Sequence, residues 1–209
     1  MEDLNIKPEE FIKRYVRENT FWYYFWRFLF PPIAYLVYRP KFKGRKNIPA
    51  KGGVILASNH IHMPDPCFVL MCTGRVVRYL AKRELLDSKL GLMYRGLQTI
   101  PVDREAGAHN SMLAAEYALN KGEIIGIFPE GTRNRNKPGK LLPFKYGTVK
   151  IASVTGAPIV PIALMSKGRP FLDDYRINVG EPYYVDKDAD LEKENEILKE
   201  KIYDLMRDG

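Results

Sequence analysis

The chain has 209 residues, enough for one domain with a real core and too few for two of ordinary size. Hydrophobic residues make up 45% and charged residues 28%, a globular composition that excludes a disordered chain. Lys and Arg number 33 against 25 acids, for a formal charge of +8, which suits a polyanionic partner: nucleic acid, an anionic lipid surface or a phosphorylated substrate.

The chain opens Met1-Glu2-Asp3, and no small-residue cleavage site follows the first apolar run, so a cleaved signal peptide is not expected. Pro8-Glu9-Glu10 reads as a helix start. Phe11, Ile12, Tyr15 and Val16 then share one face, with Lys13, Arg14 and Arg17 on the other. The next run, Phe21 to Tyr38, is crowded with aromatic residues. A membrane span needs about 20 unbroken apolar residues. Arg27 interrupts this run, Pro31-Pro32 is expected to stop the helix midway, and Trp and Tyr favour the headgroup level. Residues 1–38 therefore read as a helical membrane-association motif lying in the interface of an anionic membrane, and 39–209 as the folded domain. A helical pair packed on its own domain is the alternative.

From Lys41 onward, short apolar runs alternate with helical patterns. Strands are expected at Lys41–Ile48, Val54–Ala57, Val76–Leu80, Ile100–Val102, Ile124–Phe128 and Ile159–Ala163, with an edge strand at Tyr175–Tyr184. Helices are expected at Pro64–Met71, Gly107–Asn120 and Tyr146–Thr155. A terminal one at Leu191–Met206 would turn Leu191, Ile197, Leu198, Ile202 and Leu205 inward; Leu85–Leu97 is mixed helix and loop. The pattern predicts a single α/β domain, a mostly parallel or mixed sheet flanked by helices. Cys67 and Cys72 lie in one apolar run at a spacing that suits neither a disulfide nor a zinc knuckle, and read as core thiols.

Ligands of such sheets gather where strands end. Polar clusters follow four of the strands: Ser58-Asn59-His60, Ala81-Lys82-Arg83, Asp103-Arg104 and Pro129-Glu130-Gly131-Thr132-Arg133. The first continues to Asp65, flanked by Pro64 and Pro66. Four intervening residues let the loop return the carboxylate to one imidazole nitrogen, fixing the tautomer and leaving the other nitrogen as a base. No serine accompanies the pair, so the nucleophile would be a hydroxyl brought by the substrate. Spacing alone serves a structural reading equally well, with Asp65 as a helix cap and His60 as a hydrogen-bonded loop residue. His62 stands beside the base, and His109 opens a helix on a polar face and reads as surface.

The run from Gly44 to Arg133 resembles the glycerol-phosphate acyltransferases, specifically the 1-acyl-sn-glycerol-3-phosphate (lysophosphatidate) acyltransferases. His60 and Asp65 are similar to the family's H-x4-D motif, Ile100-Pro101-Val102-Asp103-Arg104 to its second motif and Phe128-Pro129-Glu130-Gly131-Thr132-Arg133 to F-P-E-G-T-R. Val160-Pro161-Ile162 is similar to the fourth motif. One departure is visible: Gly96-Leu97-Gln98-Thr99 stands where the family usually has a glycine close before the isoleucine. The resemblance implies that His60 deprotonates a glycerol hydroxyl, that Asp65 orients it, and that Glu130, Gly131, Thr132 and Arg133 bind the acceptor, with Arg104 and Lys82 as further phosphate ligands. Arg133 can meet a phosphate with two hydrogen bonds, and Glu130, being acidic, would touch glycerol or Arg133 instead. The implied substrates are lysophosphatidate and an acyl thioester of acyl-carrier protein or coenzyme A, with no cofactor and no metal, at the cytoplasmic face of the cell membrane as a monotopic or peripheral protein. The same motifs serve enzymes that acylate glycerol 3-phosphate or other lysophospholipids.

Two rival readings make different demands. A binuclear zinc hydrolase would want an aspartate at position 64 and a histidine at 65, where Pro64 and Asp65 stand, and His109 is the one histidine left elsewhere. A non-catalytic basic module for nucleic acid or lipid would interleave basic and aromatic residues, whereas the aromatic block is nearly uniform; no nucleic acid is expected as partner.

Overall fold

The computed structural model describes residues 6–17, 20–102, 108–134, 139–166 and 174–207. Two helices come first, α1 (Pro8–Tyr15) and α2 (Phe21–Tyr38). Then follow β1 (Lys41–Lys43), β2 (Val54–Ser58), α3 (Asp65–Leu70), β3 (Val77–Lys82), α4 (Arg83–Leu86), α5 (Gly91–Gly96), β4 (Ile100–Val102) and α6 (His109–Asn120). The chain closes with β5 (Ile124–Ile127), α7 (Gly147–Thr155), β6 (Ile159–Met165), β7 (Arg176–Val179) and α8 (Leu191–Arg207). The strands form one sheet in the order β1-β7-β6-β2-β5-β3-β4. All pairs are parallel except β6 with β7.

The central strands are apolar along their length because both faces of the sheet are covered; β2 is buried at every residue. Their side chains alternate between two cores. Ile55, Ala57 and Ile125 join Ala114, Ala118, Val149 and Leu198 on the face covered by α1, α6, α7 and α8. Val54, Leu56 and Ile124 join Tyr23, Phe68 and Leu70 on the face covered by α2 and α3.

The two N-terminal helices therefore lie on opposite faces of the sheet. The apolar stripe of α1 is occupied: Phe11 and Val16 are buried in the first core. The helix is held from within by Arg78, a fully buried residue of β3 whose guanidinium donates to the carbonyls of Tyr15 and Arg17 and to both carboxylate oxygens of Glu123. In α2 the guanidinium of Arg27 donates to the carbonyls of Leu70 (2.7 Å) and Thr73, and the Tyr23 hydroxyl accepts the Val77 amide at 2.9 Å. These anchors explain a correction. Pro31-Pro32 does not stop the helix; α2 runs unbroken through both prolines. A proline inside a helix costs about 3 kcal/mol, and buried tertiary contacts on both sides of the pair, from Tyr23 and Arg27 to Ala34 and Tyr38, offset it.

Three smaller expectations change. The strand at Tyr175–Tyr184 shrinks to β7 and lies inside the sheet, because β1 pairs on its outer side. The strand from Lys41 stops at Lys43, where Gly44 turns to φ 78° and leads into a 3-10 turn over Arg45–Asn47. In α8, Ile197 is exposed and Asn195 is buried instead, its amide donating to the Phe144 carbonyl at 2.9 Å. Cys67 and Cys72 are free thiols, and burial pushes both up to about 12, far from the reactive thiolate range.

Candidate active site

Strands β2, β5 and β3 are neighbours, so the loops leaving their carboxyl ends share one region. The β2 loop carries Asn59 and His60. Asn59 is buried and clamps β6 with a reciprocal pair of bonds, donating to the Leu164 carbonyl (2.9 Å) and accepting its amide (2.7 Å). That clamp sets the direction in which the chain leaves the sheet and presents His60.

His60 Nδ1 lies 2.7 Å from Asp65 Oδ2. Asp65 opens α3 without capping it; its carboxylate turns back into the loop that precedes it. Oδ2 also accepts the amides of Ile61 (2.6 Å) and His62 (2.9 Å), and Oδ1 accepts the hydroxyl of Tyr175. Four donors hold one fully buried carboxylate, so the loop does return Asp65 to one imidazole nitrogen and the carboxylate does not serve as a helix cap. With Nδ1–H committed to Asp65, the proton sits on that nitrogen and Nε2 is the basic one; it has no hydrogen-bond partner among the described residues, and the side chain is 17% exposed.

Ring stacking fixes the plane of the imidazole. His60 lies on Phe128 with centroids 4.2 Å apart and planes inclined by 23°, and Phe128 in turn lies parallel to Tyr79. The stack depends on Gly126 in β5: a Cβ there would fall 2.3 Å from the Tyr79 ring. Tyr79 is pinned by its hydroxyl, which donates to the Pro66 carbonyl at 2.7 Å in the first turn of α3.

The β5 loop brings Glu130, Gly131, Thr132 and Arg133 to the same place. Glu130 ties the loops of the site together. It is buried, and its two oxygens accept the amides of His60 and Leu142, both at 2.9 Å, stapling the β2 loop to the segment before α7. Burial raises its pKa, opposed by these two amide bonds. Asn134 donates its main-chain amide to the His60 carbonyl at 2.7 Å, a second staple between the β2 and β5 loops. Gly131 adopts φ 64°, a left-handed turn that brings its backbone close to the loop. Thr132 is exposed and Arg133 half-buried, with its charge near the Tyr94 phenol. Lys82 closes β3 and faces a cavity that Phe128 and Gly131 also line. Arg104 lies outside the described residues. His62 sits half-buried against Tyr175, its ring centroid 6.1 Å away.

Tyr175 was not legible in the sequence as a site residue. It comes 110 positions after Asp65, is fully buried, and stacks on Phe68 of α3 at 4.0 Å. Burial, and after it the Asp65 charge, pushes its phenol well above the ordinary range, so it remains a donor. Tyr175→Phe should lower stability by about 1–3 kcal/mol, the cost of a buried acceptor left unpaired. It should also lower kcat by roughly tenfold through a looser imidazole while leaving KM in place. Thermal unfolding and steady-state kinetics check both; unchanged kcat would show that three donors suffice.

Residues 39–165 match the model of the Acyltransferase family, and the chain belongs to that family. Two bacterial relatives are curated as 1-acyl-sn-glycerol-3-phosphate acyltransferases. That of Borreliella burgdorferi is 33% identical over 170 residues, 79% of this chain and 67% of the relative. That of Bacillus subtilis is 32% identical over 152 residues, 69% of this chain and 73% of the relative. The crystal structure of the 1-acyl-sn-glycerophosphate (LPA) acyltransferase PlsC from Thermotoga maritima superposes with a TM-score of 0.62 over 93% of this chain and 76% of that one; at 22% identity it speaks for the fold.

Proposed function

We propose that the protein transfers a fatty acyl group from an acyl thioester to the free hydroxyl of lysophosphatidate, giving phosphatidate, with His60 as general base. The observation that carries this reading is the His60–Asp65 pair, which leaves Nε2 of His60 as a basic nitrogen at the carboxyl end of β2. Nε2 takes the hydroxyl proton as the oxygen attacks the thioester carbonyl. Asp65 stabilises the imidazolium that results. Collapse of the tetrahedral intermediate breaks the C–S bond, and the imidazolium returns its proton to the departing thiolate. A thioester already has a good leaving group, so activating the alcohol is the harder half of the step, and a positioned base contributes about 10²–10⁴-fold. The donor is an acyl thioester of acyl-carrier protein or coenzyme A, and the acceptor's phosphate meets Arg133, with Lys82 and Arg104 as further cations. The names of the relatives support this choice of acceptor.

Both substrates are amphiphiles, and α2 offers a surface to meet them. Phe21, Trp22, Phe25, Phe28, Leu29 and Leu36 are exposed on it, Phe28 by 84%. Among the described residues no helix is long and apolar enough to cross a membrane. A face of this kind, on a chain with an excess of eight positive charges, fits peripheral binding to the anionic cytoplasmic leaflet.

Incubating the purified protein in vesicles with a panel of acceptors tests the proposal. Phosphatidate should form from lysophosphatidate faster than any product forms from glycerol 3-phosphate or from lysolipids without a phosphate monoester. Preference for glycerol 3-phosphate would move the protein to the other acceptor class, and equal use of lysolipids lacking the monoester would sink the proposed acceptor.

A further inference from the structure

The short hairpin of α4 and α5 turns three leucines outward. Leu85, Leu90 and Leu92 are exposed, Leu92 by 84%, as much as Phe28. The hairpin itself is tightly built. Leu86 and Gly91 are buried in it, and a Cβ at Gly91 would fall 2.1 Å from the Leu86 carbonyl oxygen. Arg95 of α5 donates to that same carbonyl and pairs with Asp87 at 3.3 Å. The fold therefore holds these leucines in water. A single exposed leucine is ordinary on a protein surface, whereas a cluster marks a surface that meets something.

The cluster continues the exposed face of α2. Leu92 and Gly96, four residues apart, share one side of α5. Gly96 abuts α2 so closely that a Cβ there would fall 2.6 Å from the Trp26 indole nitrogen and 3.5 Å from Trp22 Cβ. Leu92 thus stands one turn from the two tryptophans, and Trp22 is itself exposed. Residues 82–96 add four cations, Lys82, Arg83, Lys89 and Arg95, against Glu84 and Asp87. Leucines beside exposed Trp and Tyr, with an excess of cations around them, match an anionic bilayer: indoles sit at headgroup level, aliphatic side chains deeper, and lysines among the phosphates. Helix α1 does not share this face, because Phe11 and Val16 are occupied in the core on the other side of the sheet.

We propose that α4–α5 is a second membrane-contacting element, and that the protein rests on an anionic bilayer through α2 and α5 together, with α1 turned away. The proposal rests on the reading of α2 as a peripheral membrane face. It gives the candidate active site a position relative to the lipid. The charge of Arg133 reaches the Tyr94 phenol of α5, so the cation assigned to the acceptor's phosphate lies beside the helix that meets the bilayer. A lysolipid can then keep its acyl chain in the leaflet while its headgroup enters the site.

Flotation of the purified full chain with vesicles tests the surface, using equal parts phosphatidylglycerol and phosphatidylcholine in one set and phosphatidylcholine alone in the other. Leu92→Asp should weaken binding to the mixed vesicles by about tenfold or more, the effect of withdrawing one leucine from an apolar phase. Lys89→Glu should weaken it by about tenfold on the mixed vesicles and by less than about twofold on phosphatidylcholine. Lys13→Glu should change neither by more than about twofold, since α1 lies across the sheet, beyond a Debye length of about 8 Å. Leu92, Lys89, Lys13 and Phe28 are all exposed, so melting temperatures should match and weaker binding is not a folding defect. If Phe28→Asp loses the vesicles while Leu92→Asp binds like the natural protein, α2 acts alone; the proposal is overturned and the reading of α2 survives. A natural protein that ignores both kinds of vesicle removes that reading, and the proposal with it. Equal losses in Lys13→Glu and Lys89→Glu would contradict the orientation. A dimer in solution that Leu92→Asp splits, with vesicle binding unchanged, would give the face to a second copy instead. Binding needs no turnover, so acyl transfer stands or falls separately.

Discussion

His60→Ala is expected to lower kcat for acyl transfer by roughly 10³–10⁴-fold while the protein stays folded. The fold survives because the loop is held through main-chain atoms: the His60 amide donates to Glu130, and its carbonyl accepts the Asn134 amide, and neither bond involves the ring. What the fold loses is the stack on Phe128, worth about 0.5–1.5 kcal/mol, and one of the four donors to the buried Asp65 carboxylate, worth about 1–3 kcal/mol, together several degrees of melting temperature for a chain of this size. Asp65→Asn should approach the same kinetic loss by another route. The carboxylate accepts from four donors, and an amide offers one acceptor oxygen against them. With the amide nitrogen towards the N–H groups the imidazole would lose its fixed tautomer; with it towards the Tyr175 oxygen the contacts would survive, and the negative charge that stabilises the imidazolium would be gone. The double variant should be little slower than His60→Ala alone, since the two residues act as one unit. Kinetics and thermal unfolding on all three proteins check this; a His60→Ala protein with more than about a tenth of normal kcat would remove the base from the mechanism.

Arg78→Ala is expected to cost about 3–5 kcal/mol of stability, the range for breaking a buried ion pair from one side. Its guanidinium serves Glu123 twice, with one of the two bonds at 2.9 Å. It also serves the side-chain oxygen of Gln98 and the carbonyls of Tyr15 and Arg17 at the end of α1. Removing it takes the donor from acceptors in three segments at once, the buried Gln98 among them. Gln98 holds a left-handed φ of 56°, a conformation that costs a residue with a Cβ about 1–2 kcal/mol. The bond to Arg78 offsets that cost, which gives a physical reason why a residue other than glycine can stand in the lead-in to Ile100. The melting temperature should fall by roughly 6–15 °C, and the amides of α1 should exchange faster than those of α6. A fall under about 2 °C with α1 still protected would mean that the buried face of Phe11 and Val16 holds the helix without the network.

The parts of this molecule that were legible in the sequence are those set by local pattern. Runs such as Val54–Ser58 and Ile159–Met165 are apolar at consecutive positions because both faces of their strands are covered, and they were found nearly to the residue. The His60–Asp65 spacing was equally visible, and the loop did fold back on itself as four intervening residues allow. What escaped was long-range. Nothing near Tyr175 announces that it will meet Asp65, 110 residues earlier, and nothing near Glu130 announces that its oxygens will be occupied by the amides of His60 and Leu142. Pro31-Pro32 was read by its local cost, which contacts from Arg27 and Tyr23 to distant carbonyls and amides offset. The interior place of β7 likewise depends on where β1 lies, and that is a property of the whole sheet.

The residue types around His60 give one more consequence for chemistry. Among the described residues no serine or reactive cysteine competes for the acyl group there: the Ser58 hydroxyl is buried and donates to the Asn59 carbonyl, and desolvation pushes the half-buried Cys67 and the buried Cys72 thiols up to about 12. The proposed mechanism accordingly takes the acceptor's own oxygen as the nucleophile and passes the acyl group in one transfer.

Rapid quenching of the purified protein mixed with a radiolabelled acyl thioester tests that claim most directly. Without acceptor, no label should be bound to denatured protein and the thioester should persist. Adding lysophosphatidate should release thiol and form phosphatidate in equal amounts. Label bound to the protein that afterwards passes to lysophosphatidate at the rate of turnover would reveal an acyl-enzyme and contradict direct attack under His60.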